Sequence, residues 1–445
     1  MSDRNRDDYY DYNNFDDSID SRDYRRRQPN RRQPSYNGRP SYNRRRPKKK
    51  LISTRTRNRI VIVSLALLVL VLLIMLIVFM FRGCKDDSKN TDSVSRETKS
   101  QQEQQVNGSQ ASGGDIESTT GAAATSGDKL KSDVFIAPNP TDNGGDGYSA
   151  GVVYVWNNTA FELFGGSDYS AELYAETVNG LADKLIGMNV YSMIVPNHTE
   201  MGLPQREKEK ASTNSQADNI KAAYAAMDTS KVTPVNCYNY LSEHCNEYIY
   251  FNSDHHWTGL GSYYAYKAFA DTLGMTPLSL GDCTENTVEG FTGTLIGNDS
   301  SIEPDTVHYW TFPYDVSMTV YNNADDSETY DSPYYPWAEG GPNTYGVFIV
   351  GDHPLTVMRS SSPNAEKGRK IVVVKESYGN AFVPYLTSNF EEVHVADLRY
   401  FRDASPDVNL ANYCRQNGIT DVLFINGVMS ANDGDRFDQM EALFK

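Results

Sequence analysis

The feature that most constrains this chain is an uninterrupted apolar run over residues 60–81, in which Ser64 is the only polar residue. As a helix rising about 1.5 Å per residue, such a run spans about 33 Å, which is enough to cross a bilayer once. A cleaved signal peptide would have a shorter apolar core and no long segment before it. The run therefore predicts a single transmembrane helix over residues 60–81.

The charge of the chain changes sign across this run. Residues 1–59 carry 18 Lys and Arg against 8 Asp, whereas the rest of the chain carries 24 basic and 50 acidic residues. Basic residues cluster just before the run, and the positive-inside rule places such a cluster on the cytoplasmic side. We therefore expect a single-pass protein of the cell membrane, with its N-terminus in the cytoplasm and its C-terminal domain extracellular.

The two segments that flank the run have compositions that cannot supply a packed core. Residues 1–59 are rich in Arg, Asp, Asn and Tyr, and predict a disordered, basic cytoplasmic tail attracted to the inner leaflet. Nucleic-acid binding by the Tyr and Arg residues is the less favoured alternative, and no nucleic-acid partner is predicted. Residues 82–131 are rich in Ser, Gln, Gly, Thr and Ala, and predict a flexible linker.

Residues 132–445 alternate between apolar, strand-like runs and helical segments. Continuous apolar strands separated by helices predict an α/β fold, with a parallel sheet covered by helices on both faces. The main predicted strands are residues 188–195, 345–350, 370–375, 392–396 and 421–425. Residues 278–345 are rich in Thr, Tyr, Asp, Gly and Pro, and predict a β-rich insertion that could wall a cleft.

One loop of this domain carries the sequence Asp254-His255-His256-Trp257, between a short apolar segment at 247–251 and a helix that starts near Gly259. Residues two apart in an extended segment point the same way, so Asp254 and His256 are expected on one side and His255 on the other. An aspartate beside a histidine can fix its tautomer and stabilise the imidazolium. The loop therefore predicts two members of a nucleophilic triad.

The third member is predicted at Ser377, where an apolar strand turns into a helix. The carboxyl edge of the sheet is where open α/β folds place their sites, and the helix N-terminus adds donors for an oxyanion. The GxSxG sequence of a nucleophile elbow is absent. In this hypothesis Ser377 attacks, His256 takes its proton and Asp254 orients His256.

Simpler interpretations of the same residues stay open. A serine at a strand-to-helix turn is often only a helix cap. The Asp-His-His sequence is also compatible with a structural hydrogen-bonded knot, or with a metal site. A metal site would need two imidazoles to converge on one ion, and adjacent histidines that face opposite ways do not. No metal is therefore predicted.

Two blocks of the sequence resemble a known family, the bacterial DHHW proteins. Residues 248–266 (YIYFNSDHHWTGLGSYYAY) resemble its signature, and residues 375–386 (KESYGNAFVPYL) resemble its second block. Residues 194–198 and 397–401 are also similar, and the resemblance covers roughly residues 147–430. Glu376 departs from the serine block of proteins of the alginate O-acetyltransferase type, to which the family is similar and which usually have aspartate there.

The resemblance implies an SGNH-hydrolase-like, flavodoxin-like domain of the alginate O-acetyltransferase type, in which Asp254, His256 and Ser377 are catalytic. The order Asp, His, Ser differs from that of ordinary SGNH esterases, whose serine comes first. Further candidates for oxyanion or substrate contacts are Tyr378, Asn380, Arg399, His255 and Trp257.

The implied activity is serine-dependent transfer or removal of an acetyl group on a cell-surface or cell-wall polysaccharide. No cofactor is implied, and a membrane acyl-donor protein is a further candidate partner. Tyr334, Tyr335 and Trp337 are aromatic residues of the insertion that could stack on sugar rings. The alternatives are a non-catalytic glycan-binding or scaffold protein, and a metal-dependent hydrolase that uses Asp254 with His255 or His256.

Overall fold

The computed structural model describes residues 126–335 and 337–445. Within those residues, no helix is both long enough and apolar enough to cross a bilayer. The predicted tail over 1–59, the predicted transmembrane helix over 60–81 and the predicted linker up to residue 125 lie outside the described residues. These three assignments therefore stay predictions.

The described part of the chain alternates strands with helices, which confirms the α/β class. In chain order the strands are β1 (Tyr148–Ala150), β2 (Val153–Trp156), β3 (Thr159–Phe161), β4 (Asn189–Val195), β5 (Val232–Pro234), β6 (Thr284–Phe291), β7 (Asp305–Thr311), β8 (Val316–Asn323), β9 (Asp326–Tyr330), β10 (Leu355–Ser360), β11 (Glu366–Lys375), β12 (Phe390–Asp397) and β13 (Asp421–Gly427). The α-helices are α1 (Ser126–Lys129), α2 (Asp168–Ala182), α3 (His198–Gly202), α4 (Gln205–Ala211), α5 (Gln216–Ala226), α6 (Tyr238–Glu243), α7 (Gly259–Thr272), α8 (Gly379–Leu386), α9 (Phe401–Ala404), α10 (Leu410–Asn417) and α11 (Gly434–Ala442).

Eight strands form the central sheet, in the order β5-β4-β13-β11-β12-β10-β8-β9. The five strands from β5 to β12 pair in parallel, while β10, β8 and β9 continue the sheet with antiparallel pairs. Strands β1 to β3 form a separate antiparallel sheet, and β6 pairs with β7 in a two-stranded one. The predicted insertion therefore contributes β8 and β9 to the edge of the main sheet.

Helices cover both faces of the parallel part. Successive side chains of a strand point to opposite faces of its sheet. On β4, the hydroxyl of Ser192 lies 3.0 Å from that of Tyr174 on α2, whereas the adjacent Tyr191 packs its ring against Phe269 on α7. At the centre of the sheet, residues 371–374 of β11 and residues 422–425 of β13 are consequently apolar and buried without interruption.

The prediction of a strand over residues 345–350 is wrong. A 3₁₀ helix spans Thr344–Val347, and Ile349 and Val350 have φ angles of 48° and 67°, in the left-handed region that no β-strand uses. These apolar residues are buried without joining the sheet. The strand that does follow in this region is β10.

Candidate active site

A buried carboxylate from the insertion holds the loop that precedes His256. Asp305, at the start of β7, is 4% exposed. Its Oδ1 accepts a hydrogen bond from the backbone N–H of Asn252 at 3.0 Å, and its Oδ2 accepts bonds from the N–H of Ser253 at 2.8 Å and from the Ser253 hydroxyl at 2.6 Å. These bonds fix the backbone from which Asp254 projects.

Asp254 and His256 form a hydrogen-bonded pair. Asp254 Oδ1 lies 2.6 Å from His256 Nδ1 and also accepts the His256 backbone N–H at 3.0 Å. The other oxygen, Oδ2, accepts bonds from the N–H of Thr294 at 2.8 Å and from its hydroxyl at 3.0 Å. This network assigns the His256 proton to Nδ1 and leaves Nε2 as an acceptor.

Asp254 is ionised in this setting. Burial alone would raise the pKa of its carboxyl, but the charges of His255 and His256 oppose that effect. Hydrogen bonds from His256 and Thr294 act in the same direction as those charges, and the pKa of Asp254 is held well below its ordinary value. A permanent negative charge therefore faces the imidazole of His256.

Ser377 lies on the other side of the imidazole. Its Oγ is 2.7 Å from His256 Nε2. The residue occupies the turn between β11, which ends at Lys375, and α8, which begins at Gly379, and so lies at the carboxyl end of a central parallel strand. The structure thus brings together the three residues proposed as a triad from the sequence, and their catalytic roles stay a prediction.

Glu376 stands where the serine block of the alginate O-acetyltransferase type usually has aspartate. It links the turn that carries Ser377, which we call the serine turn, to the neighbouring strand β13. Its Oε1 accepts the backbone N–H of Gly427 at the end of β13, at 2.7 Å. Its Oε2 accepts the N–H of Tyr378 at 3.0 Å and lies 3.3 Å from Ser377 Oγ. The longer acidic side chain therefore fits this turn and stabilises it.

The prediction that His255 points away from this site is wrong. Its ring centroid lies 3.9 Å from that of His256, and its Nδ1 lies 2.9 Å from the Thr294 hydroxyl and 3.8 Å from Asp254 Oδ1. The segment is not extended, because Asp254 accepts the N–H two residues ahead in an Asx-type turn. His255 and His256 consequently lie on the same side of the loop.

The convergence of Asp254, His255 and His256 raises the question of a metal ion. One ligand atom from each of them lies within 4.8 Å of the other two. Two ligands about 2.1 Å from one tetrahedral ion stand about 3.4 Å apart. The 2.6 Å separation of Asp254 Oδ1 and His256 Nδ1 fits a hydrogen bond better than a shared ion.

Similarity to known proteins agrees with the motif. A family model described as DHHW protein matches residues 97–396. The chain belongs to the DHHW protein family. A structure of a DHHW family protein from Eubacterium siraeum DSM 15702 is 30% identical, covering 67% of this chain and 99% of that chain, with a TM-score of 0.60.

A more distant structure shares the fold of this DHHW protein. Bacillus cereus PatB1 is 20% identical, covering 65% of this chain and 98% of that one, with a TM-score of 0.52. The O-acetyltransferase domain of Pseudomonas putida AlgJ is 13% identical over 67% of this chain and 98% of that chain, and its TM-score of 0.36 is too low to support an inference. No curated protein matches the DHHW chain.

Two of the further predicted contacts, Tyr378 and Trp257, join the two loops of the DHHW site. The Tyr378 hydroxyl donates to the backbone oxygen of His255, and its ring centroid is 5.2 Å from that of His256. The Trp257 indole N–H donates to the backbone oxygen of Tyr378 at 2.9 Å. These bonds hold the histidine loop against the serine turn, and a contact with substrate stays a prediction for both residues.

Asn380 and Arg399 belong to a buried network of charged and polar side chains next to the serine turn. We call it the ion network, and it consists of Lys375, Asp352, Asp397, Arg399 and Asn380. Lys375 Nζ lies 2.8 Å from Asp352 Oδ1 and 2.7 Å from Asp397 Oδ2. Arg399 pairs with both carboxylates at 2.8 Å, and the Asn380 amide donates to Asp352 at 2.9 Å. The network holds both ends of the turn, because Lys375 precedes Ser377 and Asn380 follows it. A contact with substrate stays a prediction for Asn380 and Arg399.

The aromatic residues of the insertion differ in their exposure. Tyr334 is buried and packs against Phe348, so it cannot meet a sugar ring. Trp337 is 68% exposed, and its ring contacts Tyr335. Of the three residues predicted to stack on sugars, Tyr334 is therefore a core residue.

Proposed function

We propose that this protein is a serine-dependent O-acyltransferase or esterase. The observation that carries the proposal is the pair of hydrogen-bond distances that His256 makes, 2.6 Å to Asp254 and 2.7 Å to Ser377. A nucleophile, a base within reach of its proton and a carboxylate that orients the base are the parts that acyl transfer through a covalent intermediate requires.

The proposed reaction follows from this geometry. The Ser377 oxygen attacks the acyl carbonyl while its proton moves to His256 Nε2, and Asp254 stabilises the imidazolium. Collapse of the tetrahedral intermediate breaks the bond to the leaving oxygen, which takes the proton from Nε2. A sugar hydroxyl or water then attacks the acyl-enzyme while His256 Nε2 accepts its proton. Collapse of this second intermediate breaks the bond between the acyl carbon and Ser377 Oγ, which takes the proton back from Nε2. The acceptor decides between transferase and esterase.

The substrate proposal rests on family resemblance and on the expected location. We propose that the acyl group is acetyl and that it is carried by a cell-surface or cell-wall polysaccharide. The apolar run at residues 60–81 and the basic cluster before it support a domain on the outer side of the membrane, where such glycans lie. A membrane protein that supplies the acyl group is a partner consistent with that location.

The decisive experiment measures release of p-nitrophenol from p-nitrophenyl acetate by the purified protein. We expect Ser377→Ala to reduce kcat at least about 10³-fold, because the nucleophile of the covalent step is lost. Ser317→Ala, at an exposed position on β8, is the matched control and should leave the rate unchanged.

The same proteins separate the alternatives. A fluorophosphonate probe should label the wild type and the Ser317→Ala control, and not Ser377→Ala. A wild-type protein that neither turns over the ester nor reacts with the probe would support a glycan-binding or scaffold protein. Activity that survives Ser377→Ala and is lost on chelation would support a metal-dependent hydrolase.

A further inference from the structure

Tyr345 contacts the imidazole of the proposed base and the backbone of the residue that carries the proposed nucleophile. Its ring stacks on the His256 imidazole, with centroids 4.2 Å apart and planes 13° from parallel. Its hydroxyl donates to the backbone oxygen of Ser377 at 3.2 Å. The side chain is 2% exposed, so neither contact competes with bulk water.

The backbone that follows the 3₁₀ helix of Tyr345 is strained. After the 3₁₀ helix Thr344–Val347, three consecutive residues, Ile349, Val350 and Gly351, have φ angles of 48°, 67° and 89°. A β-branched residue in this region costs on the order of 1–3 kcal/mol and persists only where its surroundings enforce it. Strain of this kind is concentrated at functional sites.

Backbone hydrogen bonds and an ion pair hold the two ends of this segment in place. The Ile349 N–H donates to the backbone oxygen of Pro333 at 2.9 Å, and the Gly351 N–H donates to that of Phe348 at 2.9 Å. Immediately afterwards, Asp352 enters the ion network next to the serine turn. The segment is thus fixed against the same turn that carries the nucleophile.

We propose that Tyr345 is a positioning residue that holds the His256 ring in line with Ser377 and favours its protonated form through the face of the phenol ring. This inference rests on the proposed function. During attack, the proton that leaves Ser377 Oγ resides on His256 Nε2 until the leaving oxygen takes it. For that interval a cation lies against the Tyr345 ring, and the negative face of an aromatic ring attracts a cation.

Other titratable groups also face the His256 ring. They are Asp254 and His255 on its own loop, Tyr378 on the serine turn and Tyr345 on the 3₁₀ helix. The carboxylate of Glu376 is also near, with its Oε2 3.3 Å from Ser377 Oγ. Burial raises the pKa of both tyrosines well above 10, so each stays a neutral phenol. The pKa of Asp254 lies well below its ordinary value, so that carboxyl stays ionised beside the ring.

The test compares Tyr345→Phe, which keeps the ring and loses the hydroxyl, with Tyr345→Leu, which loses both. In p-nitrophenyl acetate turnover we expect Tyr345→Leu to lower kcat about 10-fold with little change in KM, because a contact to a desolvated cation is lost. In a plot of kcat against pH, the midpoint of the rising limb should move to lower pH by about half to one unit. Tyr345→Phe should stay within about 3-fold of the wild type and keep its pH midpoint.

The control is Tyr266→Leu, which removes another buried ring, whose hydroxyl binds Asn389. Tyr266→Leu should lower the stability of the protein without shifting the pH dependence of kcat. If Tyr345→Leu does not fold, Tyr345→Met replaces it, because an unbranched side chain fills irregular space. A Leu or Met variant with the wild-type kcat and pH midpoint would overturn the proposal.

A second measurement keeps this inference separate from the proposed function. Nitrogen NMR of histidine-labelled protein, with the His256 signals identified through His256→Gln, reports ring protonation without any turnover. We expect the His256 titration midpoint to fall in Tyr345→Leu and to stay in Tyr345→Phe and Tyr266→Leu. If the wild type lacks esterase activity, this shift would support the inference while the proposed function fails. An unchanged midpoint would overturn the inference.

Discussion

At the scale of single residues, the geometry of the site depends on the hydrogen bonds that each carboxylate oxygen of Asp254 accepts. One oxygen binds both the side chain and the backbone of His256, and the other binds Thr294 twice. Gly293 permits the second set of bonds, because a Cβ there would lie 2.4 Å from the Cβ of Asp254. Three residues of the insertion, Gly293, Thr294 and Asp305, therefore hold a motif that lies about forty to fifty residues earlier.

We expect Asp254→Asn to remove most of the activity while the protein stays folded. An amide can still accept bonds from Thr294, but its NH₂ group facing His256 favours the tautomer with the proton on Nε2, where Ser377 needs an acceptor. The expected loss in kcat for p-nitrophenyl acetate is about 10⁴-fold.

Circular dichroism and the thermal midpoint would verify that Asp254→Asn is folded. Asp325→Asn, an exposed change on the turn between β8 and β9, is the matched control and should keep the wild-type rate. A folded Asp254→Asn protein with the wild-type kcat would contradict the triad.

At the scale of secondary-structure elements, the ion network joins the ends of β11 and β12 to the strained segment. Lys375 ends β11, Asp397 ends β12, and Asp352 follows the left-handed residues. Burial alone would raise the pKa of both carboxyls, but Arg399 and Lys375 outweigh it and the pKa values are lowered. The charges of Lys375 and Arg399 thus neutralise those of the two aspartates, and all four side chains are buried.

Removal of one anion should destabilise the whole domain. In Asp352→Asn, Lys375 and Arg399 share a single carboxylate. Removing one partner of a buried ion pair costs about 3–5 kcal/mol, because the other charge is left without compensation. Urea unfolding followed by tryptophan fluorescence would measure the change in the free energy of unfolding. The exposed control Asp325→Asn should stay within about 0.5 kcal/mol of the wild type.

The pH dependence of this stability has a definite sign. Because the pKa values of Asp352 and Asp397 are lower in the folded than in the unfolded state, their contribution is fully present above the unfolded value of about 4. It is lost as the pH falls below that value. The difference in unfolding free energy between the wild type and Asp352→Asn should therefore shrink from pH 6 to pH 3, and a constant difference would contradict the role given to the network.

At the scale of the whole molecule, the features that could be predicted from the sequence are the local ones. The centres of β11 and β13 were predictable because residues 371–374 and 422–425 are consecutive apolar residues. The motif residues were predictable because each block is contiguous in the sequence. The run at 345–350 was mispredicted because a short apolar run indicates only that its side chains are buried. It does not specify which backbone conformation buries them. Tyr345 and Asp305 carry no local signal, since their partners lie 32 to 89 and 52 to 57 positions away and are set by tertiary packing.

The last prediction concerns the arrangement of the chain across the membrane. If residues 60–81 span the bilayer with the basic cluster inside, an epitope tag inserted after Ser109 should be detected on intact cells, and one inserted after Ser41 only after permeabilisation. Deletion of residues 60–81 should move the protein to the soluble fraction and hide both tags in intact cells, because the only long apolar run of the sequence is gone. Detection of the Ser41 tag on intact cells would place the basic segment outside, and the domain would then face the cytoplasm, away from any surface glycan.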